Sequence, residues 1–418
     1  MHDALKKLRF SVVPLPVEEN RPVELARTMS VHPLTYQELP YDPEYSLYAG
    51  RLNPEKLSNA TPDEMYWKVR QEIIFRHTGE HPFEISGPDA LKLLQRIFPR
   101  DVSKVKKGRC SYQFACYHDG GMITDGLLLR VDDDRYWFAQ ADGDLFSWYK
   151  AHAEGLDVTI SDPDVWVSQI QGPRSLALLE NLIDGPMPDS WRYFDWAEVT
   201  IAGEQLIISR TGFTNELGWE IYFRPENNIE MLGDLILAEG SKMGMILTAT
   251  PGFRCRRIEA GLLSAGQDFT QTTTPFAVGL ARFIDFEKGD FVGRTALMAA
   301  DKQCRSWGIR VEGGTAVRGD TLEKSGQPIG RVTSSTWSPF QACGVGIVHL
   351  NNTHLGPGAV VDVQCTDGTL HRGELCTLPM YDPKGEIVRG INQVIPTEPE
   401  PWAGIPVTTN TQANAETT

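Results

Sequence analysis

The chain has 418 residues, with 40 Lys+Arg against 55 Asp+Glu and a formal net charge of −15. That length predicts two or three structural units with ample chain to bury a core, and 41% hydrophobic with 23% charged residues excludes a largely disordered polymer. The acidic balance lacks the basic face that nucleic-acid binding requires, and leaves room only for a local basic groove toward a small anion.

Residues 1–60 are rich in Pro, Tyr and charge without sustained periodicity, and YDPEYSLYAGRLNP reads as an ordered arm. A first α+β unit is expected over 61–160. Thr61 caps and Pro62 opens a helix in TPDEMYWKVRQEI, with Asp63 and Glu64 suited to its N-terminus. PFEISG alternates as a strand, and GPDALKLLQRIF is an amphipathic helix from Pro88. YQFACYH and ITDGLLLRV flank the turn DGGM as a β-hairpin, followed by the strand YWFAQ and a helix in GDLFSWYKAHAE. A second α+β unit over 161–304 repeats this grammar: VWVSQIQG and then GPRSLALLENL match ISG and then GPDALKLLQRI, which predicts an internal pseudo-repeat. Strands WAEVTIAG, EQLIISRT and WEIYFRP and a helix near 229–244 complete it. From 305 to 395 short strands and Gly-rich turns predict a C-terminal β-barrel domain, and 396–418 reads as a flexible tail.

The N-terminus has no apolar run of a secretory leader and no stretch of about 18 apolar residues occurs, so neither export nor membrane insertion is expected. Seven dispersed cysteines without a Cys-x-x-Cys pair predict reduced thiols in a cytoplasmic protein. No His/Cys cluster has ligand spacing, so no metal site is expected; His77 and His81 are four apart across GEHP, which favours a turn. No Walker loop, Gly-x-Ser-x-Gly or His-Glu-x-x-His is present. What stands out is charge inside apolar runs: Asp125 between MIT and GLLL, Glu220 in GWEIYF, and Arg257 and Glu259 in RRIEAGLL. Such groups are either solvent-facing or internally paired, or they line a pocket that supplies their hydrogen-bonding partners.

Four segments in order carry a family resemblance. RTGFTNELGWEIYF resembles the Arg-Thr-Gly-Tyr-Thr-Gly-Glu-x-Gly-x-Glu-Ile segment of the glycine-cleavage T-protein (aminomethyltransferase) family. RRIEAGLLSAGQDFTQTTTPFAVGL, FVGRTAL and DGGMITDGLLL resemble three further segments of that family, over about 65–350. EISGPDALKLL, RDVSKVKKGRCSYQ, IQGPRSLALLE and SSTWSP are most similar to its dimethylsulfoniopropionate demethylase branch, and the aryl O-demethylases are a more distant likeness. The resemblance implies a three-domain α+β fold around a central channel, with tetrahydrofolate as one-carbon acceptor. By the same resemblance Asp125 is placed at the reactive folate edge, Glu220 on the pterin NH groups, and Arg257 organises the channel or meets folate carboxylates. Tyr112 and Phe213 fall where the branch sets aromatic residues about the methyl donor.

Three departures lie near that donor pocket, one of them the N-terminal arm with YDPEYSLYAGRLNP. Gly212-Phe213-Thr214-Asn215-Glu216-Leu217-Gly218 stands where the branch has Gly-Trp-Ser-Lys-Gln-Gly-Gly, and Thr124-Asp125-Gly126 where it has Asn-Asp-Pro. The expected function is therefore a tetrahydrofolate-dependent demethylase, moving a methyl group from a small sulfonium, methoxyaryl or N-methyl donor to N5 of the cofactor. Asp125 and Tyr112 are its candidate catalytic residues; Tyr45, Tyr48 and His118 are further candidate proton donors. The alternatives are an aminomethyltransferase served by a lipoyl carrier protein, with which a net charge of −15 agrees poorly, and a non-catalytic folate-binding protein. A small-molecule donor is the expected partner, with neither nucleic acid nor membrane, and the sequence sets no oligomeric state.

Overall fold

The computed structural model describes residues 30–351 and 354–405. Residues 1–29 of the predicted arm and 406–418 of the predicted tail lie outside the described residues. The described arm forms a hairpin, β1 (Glu44–Tyr48) and β2 (Arg51–Lys56), around a tip at Ala49-Gly50. Arg51 runs back from that tip into the body: its guanidinium lies 3.8 Å from the Trp166 ring and donates to the carbonyls of Glu80 and Val165. Helix α1 (Pro62–Gln71) starts as expected, on a reciprocal capping box between Thr61 and Glu64.

The short strand β3 (Ile74–His77) follows, and then a five-stranded sheet with its two helices. This comprises β4 (His81–Ser86), α2 (Ala90–Ile97), β5 (Cys110–Cys116), β6 (Met122–Asp132), β7 (Arg135–Gln140), α3 (Phe146–His152) and β8 (Thr159–Ser161), with sheet order β5-β6-β7-β4-β8. Next come β9 (Trp166–Gln171), α4 (Ser175–Leu182), β10 (Trp196–Ile201), β11 (Glu204–Ser209), β12 (Gly218–Phe223), α5 (Ile229–Lys242) and β13 (Ile246–Leu247). Their sheet has six strands in the order β10-β11-β12-β9-β3-β13, because β3 crosses over and pairs with β9 and β13. Helices α6 (Thr250–Ala260) and α7 (Arg294–Ala299) lead to a closed barrel: β14 (Ser306–Val311), β15 (Thr321–Lys324), β16 (Gln327–Ser338), β17 (Cys343–Leu350), β18 (Val360–Gln364) and β19 (Leu370–Cys376).

The repeat read from ISG-GPDA and IQG-GPRS is carried by backbone geometry. Gly87 and Gly172 end their strands at φ +116° and +128°, and each carbonyl accepts from the first residue of its helix. Only glycine adopts these angles without strain. Outer faces of the two sheets pack under helices, Leu93, Leu94 and Tyr149 on the first, Leu178, Leu179 and Leu232 on the second. The inner faces meet each other through Leu129, Trp137, Val167, Trp196 and Tyr222. Polar residues set into those inner faces are therefore enclosed between two sheets.

Residues 396–405 of the predicted tail are held on the barrel, Trp402 N–H on the Gln341 carbonyl and Ile405 N–H on Glu312. All seven cysteines are free. Among the described residues, no helix is long and apolar enough to cross a membrane, and no group of three or more His, Cys, Asp or Glu is placed to hold a metal ion.

A Cβ at position 172 would sit 2.3 Å from the Glu72 carbonyl oxygen, a backbone atom with no freedom to move aside. Gly172→Ala should destabilise the fold by about 2 kcal/mol or more, read as a lower denaturant midpoint. An unchanged midpoint would show that this close approach does not constrain the repeat.

Candidate active site

Asp125 sits on β6 opposite Phe114, on the inner face of the first sheet. Its side chain is buried, and the Tyr112 phenol donates to Oδ2 at 2.7 Å. No cation lies within 4 Å among the described residues, so burial dominates and lifts its pKa from 3.8 to about 6; nearby Asp268 adds to the rise, while Tyr112 opposes it. The Tyr112 hydroxyl is held far above its usual range, by burial first and then by the Asp125 charge.

Glu220 projects from the inner face of the second sheet. Gln169 donates to its Oε1 at 2.9 Å, Thr211 to Oε2, and Tyr222 to Oε2 at 3.4 Å. Among the described residues it too has no cation within 4 Å. Burial, reinforced by the charge of Glu80, raises its pKa from 4.5 to about 7. Strand register extends this position into a row: Ser209 faces Glu220, Glu220 faces Gln169, and Gln169 faces Arg76 on β3. Two atoms in the row are buried without a hydrogen-bond partner, Gln169 Oε1 and Arg76 Nη1. A buried amide oxygen and a buried guanidinium nitrogen left unmade are costly in a closed protein, and point to groups supplied by a ligand.

The other expected residues divide. Arg257 is spent within the protein: it pairs with Asp268 at 2.7 Å and donates to Leu262 O, Gln267 and Ser334 Oγ, fastening α6 to the barrel. Phe213 stacks on Phe253 at 6.3 Å, whereas Tyr112 packs on Phe283 at 5.2 Å, so the two aromatics expected about one donor lie on different partners. Tyr48 stands at the tip of the arm hairpin, its phenol meeting the Asp142 backbone within electrostatic reach of Glu80 and Asp125. Tyr45 donates to buried Glu38, and His118 is exposed against Trp148 and His152. His77 and His81 do not converge; the first bonds Ser168 and Gln37, the second Asp162. Arg76 and Gln169 escaped the sequence reading. Their only signal was an Arg and a Gln inside the apolar runs IIFRH and VWVSQIQ, and pairing of distant strands was needed to align them.

Beside this pair of sheets opens a cleft of about 1260 Å³, lined by Arg100, Lys106, Arg210, Arg282 and Arg389 among others. Arg100 and Arg282 both lie over the Phe283 ring, at 5.1 and 4.8 Å, and Arg100 Nη1 donates to the Tyr112 carbonyl. Through Arg100 and Phe283 the cleft wall touches the Tyr112 backbone and ring. It supplies the local basic groove that an acidic chain of this kind leaves open.

Both carboxyls titrate higher in the folded state than in an unfolded chain, so each disfavours the fold once ionised. Their stability contribution is complete below about pH 4 and is lost as pH rises through 6 and 7. Asp125→Asn and Glu220→Gln should each be more stable than the parent at about pH 8, by up to about 3 kcal/mol, and equal to it near pH 4. Urea titrations across that range measure this; a gap that fails to widen with pH would refute it.

Three kinds of likeness place the chain among known proteins. The GCVT N-terminal domain model matches residues 31–288, and the glycine cleavage T-protein C-terminal barrel domain matches 305–382. The dimethylsulfoniopropionate demethylase DmdA of Ruegeria pomeroyi is 30% identical over 331 residues, covering 78% of this chain and 90% of the relative. An aminomethyltransferase of Bacillus subtilis is 33% identical over 316 residues, covering 73% and 86%. In architecture, the glycine cleavage system aminomethyltransferase T of Bartonella henselae superposes with a TM-score of 0.76 at 21% identity, over 85% of this chain and 98% of that one. Proteins of this kind are folate-dependent one-carbon transferases with tetrahydrofolate as cofactor. With its two facing sheets, its closed barrel and matches over most of its length, the chain belongs to the glycine-cleavage T-protein family.

Proposed function

We propose that the protein is a tetrahydrofolate-dependent demethylase acting on a small methylated donor. The observation that carries this reading is the pair of enclosed carboxylates on facing sheets, Asp125 and Glu220, each without a cation partner. The residues present fit the cofactor: Glu220 and the unpaired Gln169 Oε1 are adjacent acceptors for ring NH groups, and the basic cleft suits a carboxylate-bearing tail. Bound tetrahydrofolate supplies the amine that takes up the methyl group.

The protein's own part is orientation and proton handling. Glu220 and Gln169 hold the ring from the second sheet. Asp125, held in one rotamer by the Tyr112 phenol, is ionised above about pH 6 and takes the proton that methylation of the amine releases. The donor heteroatom keeps the electrons of the broken bond, so a sulfonium leaves as a neutral thioether. The two sheets exclude water and align the reactants, and no protein nucleophile is needed.

A second reading is supported by the cleft: its arginines would also dock an acidic lipoyl carrier, as an aminomethyltransferase requires. The formal net charge of −15 favours the first, because an acidic carrier would be repelled by the chain as a whole.

The purified protein with tetrahydrofolate and a panel of sulfonium, methoxyaryl and N-methyl compounds should form 5-methyl-tetrahydrofolate from at least one donor. Asp125→Asn should lower that rate about 100-fold or more while leaving cofactor binding within a few-fold, whereas Glu220→Gln should weaken the binding itself. Methylene-tetrahydrofolate formed only from a lipoyl-linked aminomethyl group would establish the second reading instead.

A further inference from the structure

Past the barrel the chain runs along the mouth of the basic cleft. It is tied first at 382–388, where Asp382 accepts from the backbone N–H groups of Glu386 and Ile387 and from Asn215, and Val388 is buried. It is tied again at Pro396, whose carbonyl accepts from Gln71 of α1 at 2.8 Å, and from Glu400 onward it rejoins the barrel. Between these ties, among the described residues, every hydrogen bond of 389–395 stays within 384–394. A span held at its ends and by its own turn opens at low cost compared with the sheets behind it. Its surface is also unusual for a loop. Ile391 is 68% exposed, Val394 80% and Ile395 37%, three large apolar side chains within five residues; single exposed ones need no explanation, a cluster does. Arg389 and Ile391 belong to the cleft lining, and Arg389 acts electrostatically on Tyr193 in the same lining. The cleft below holds cations to spare. Lys104 meets Asp101 and Asp285, and Arg109 and Arg192 share Asp195. Arg100, Lys106, Arg210, Arg282 and Arg389 have no carboxylate within 4 Å among the described residues.

We propose that residues 389–395 form a lid that closes over the outer end of bound tetrahydrofolate, its aromatic ring and its glutamate carboxylates, where that end lies in the cleft. The inference rests on the folate reading of the site and adds a moving part to it. The surfaces select this occupant. The unpaired cations of the cleft attract the carboxylates, while Ile391 and Val394 cover the aromatic ring and leave water in doing so. Arg389 travels on the same span and brings one more cation to the tail. The apolar side chains exposed in the free protein are then the face that the closed state buries, and release of the methylated cofactor requires the lid to open again.

Trypsin reads the lid directly, because Arg389 is exposed within it. The free protein should be cut after Arg389, with the site identified by mass spectrometry. Saturating tetrahydrofolate should slow that cut about tenfold or more, whereas 6-methyl-tetrahydropterin, which has the ring system without the tail, should leave it unchanged. In calorimetry, Ile391→Ser and Val394→Ser should each weaken tetrahydrofolate binding about threefold or more, and leave 6-methyl-tetrahydropterin binding within about twofold. Both positions are exposed, so neither substitution disturbs the fold. Tetrahydrofolate that binds without slowing the cut at Arg389 overturns the lid and leaves the folate reading standing, as do serine variants that bind it like the parent. Protection by 6-methyl-tetrahydropterin alone also overturns the lid, since the span would then respond to the sheets and not to the tail. Failure of tetrahydrofolate to bind at all removes the folate reading, and the lid with it.

Discussion

Two buried arginines and two buried glutamates hold the layers of this molecule together. Arg70 of α1 pairs with Glu216 in the loop before β12, Arg256 of α6 pairs with Glu216 and with Glu259, and all four side chains are at most 4% exposed. Glu259 also accepts from Tyr66 of α1, from Ser338 at the end of β16, and from Tyr381 beyond the barrel. One ionic cluster thus reaches the first helix, the second sheet, the connecting helix and the barrel. Such a cluster adds little stability over an apolar replacement, but loss of one member strands a charge at a cost of about 3–5 kcal/mol. Its effect is to permit one arrangement of α1, α6 and barrel, and so one separation of the two sheets.

Charge is balanced in that cluster and unbalanced a short way off. Among the described residues, Asp125 and Glu220 are buried with no cation within 4 Å, Arg76 is buried with no carboxylate within 4 Å, and Gln169 keeps an empty acceptor. Opposite charges were available to neutralise one another, yet the strands that carry them hold them apart. The balanced cluster makes this tolerable, because a rigid frame prevents the sheets from shifting to let the site groups pair among themselves. The destabilisation is then recovered when ligands supply the partners, which stabilises the bound protein by mass action.

Local chemistry made much of the fold legible. The Thr61 capping box, the Asp119-Gly120-Gly121 hairpin turn, and the twin Gly-Pro helix starts are short-range features with strong conformational preferences. Asp125 and Glu220 were visible as acids within apolar strands. What could not be read is long-range. Nothing in IIFRH says that β3 leaves its neighbours in sequence to pair with β9, and that pairing is what brings Arg76 into line with Glu220. The partner of Arg257 was equally hidden: Asp268 lies eleven residues on, in a loop with no helical or strand periodicity to place it. Tyr112 and Phe213 come from two separate segments, and the ring each packs against, Phe283 and Phe253, lies far from it in sequence.

At one residue in each of two departures from the demethylase branch, Gly126 and Asn215, the backbone supplies an explanation that the donor pocket does not require. At Gly126 a Cβ would fall 2.3 Å from the Ala139 carbonyl and 2.8 Å from the Phe138 ring, so the crossing of β6 and β7 is too close here for any side chain. Asn215 has φ +57°, a left-handed conformation that asparagine tolerates better than most residues. The T-protein segment carries glycine at that place, which meets the same backbone demand. The loop shape that delivers Glu216 to the ionic cluster is therefore preserved through a change of residue. Changes that look like altered substrate chemistry in the motif are, at these two positions, adjustments of strand spacing and loop conformation. Specificity then rests with side chains that face the space between the sheets.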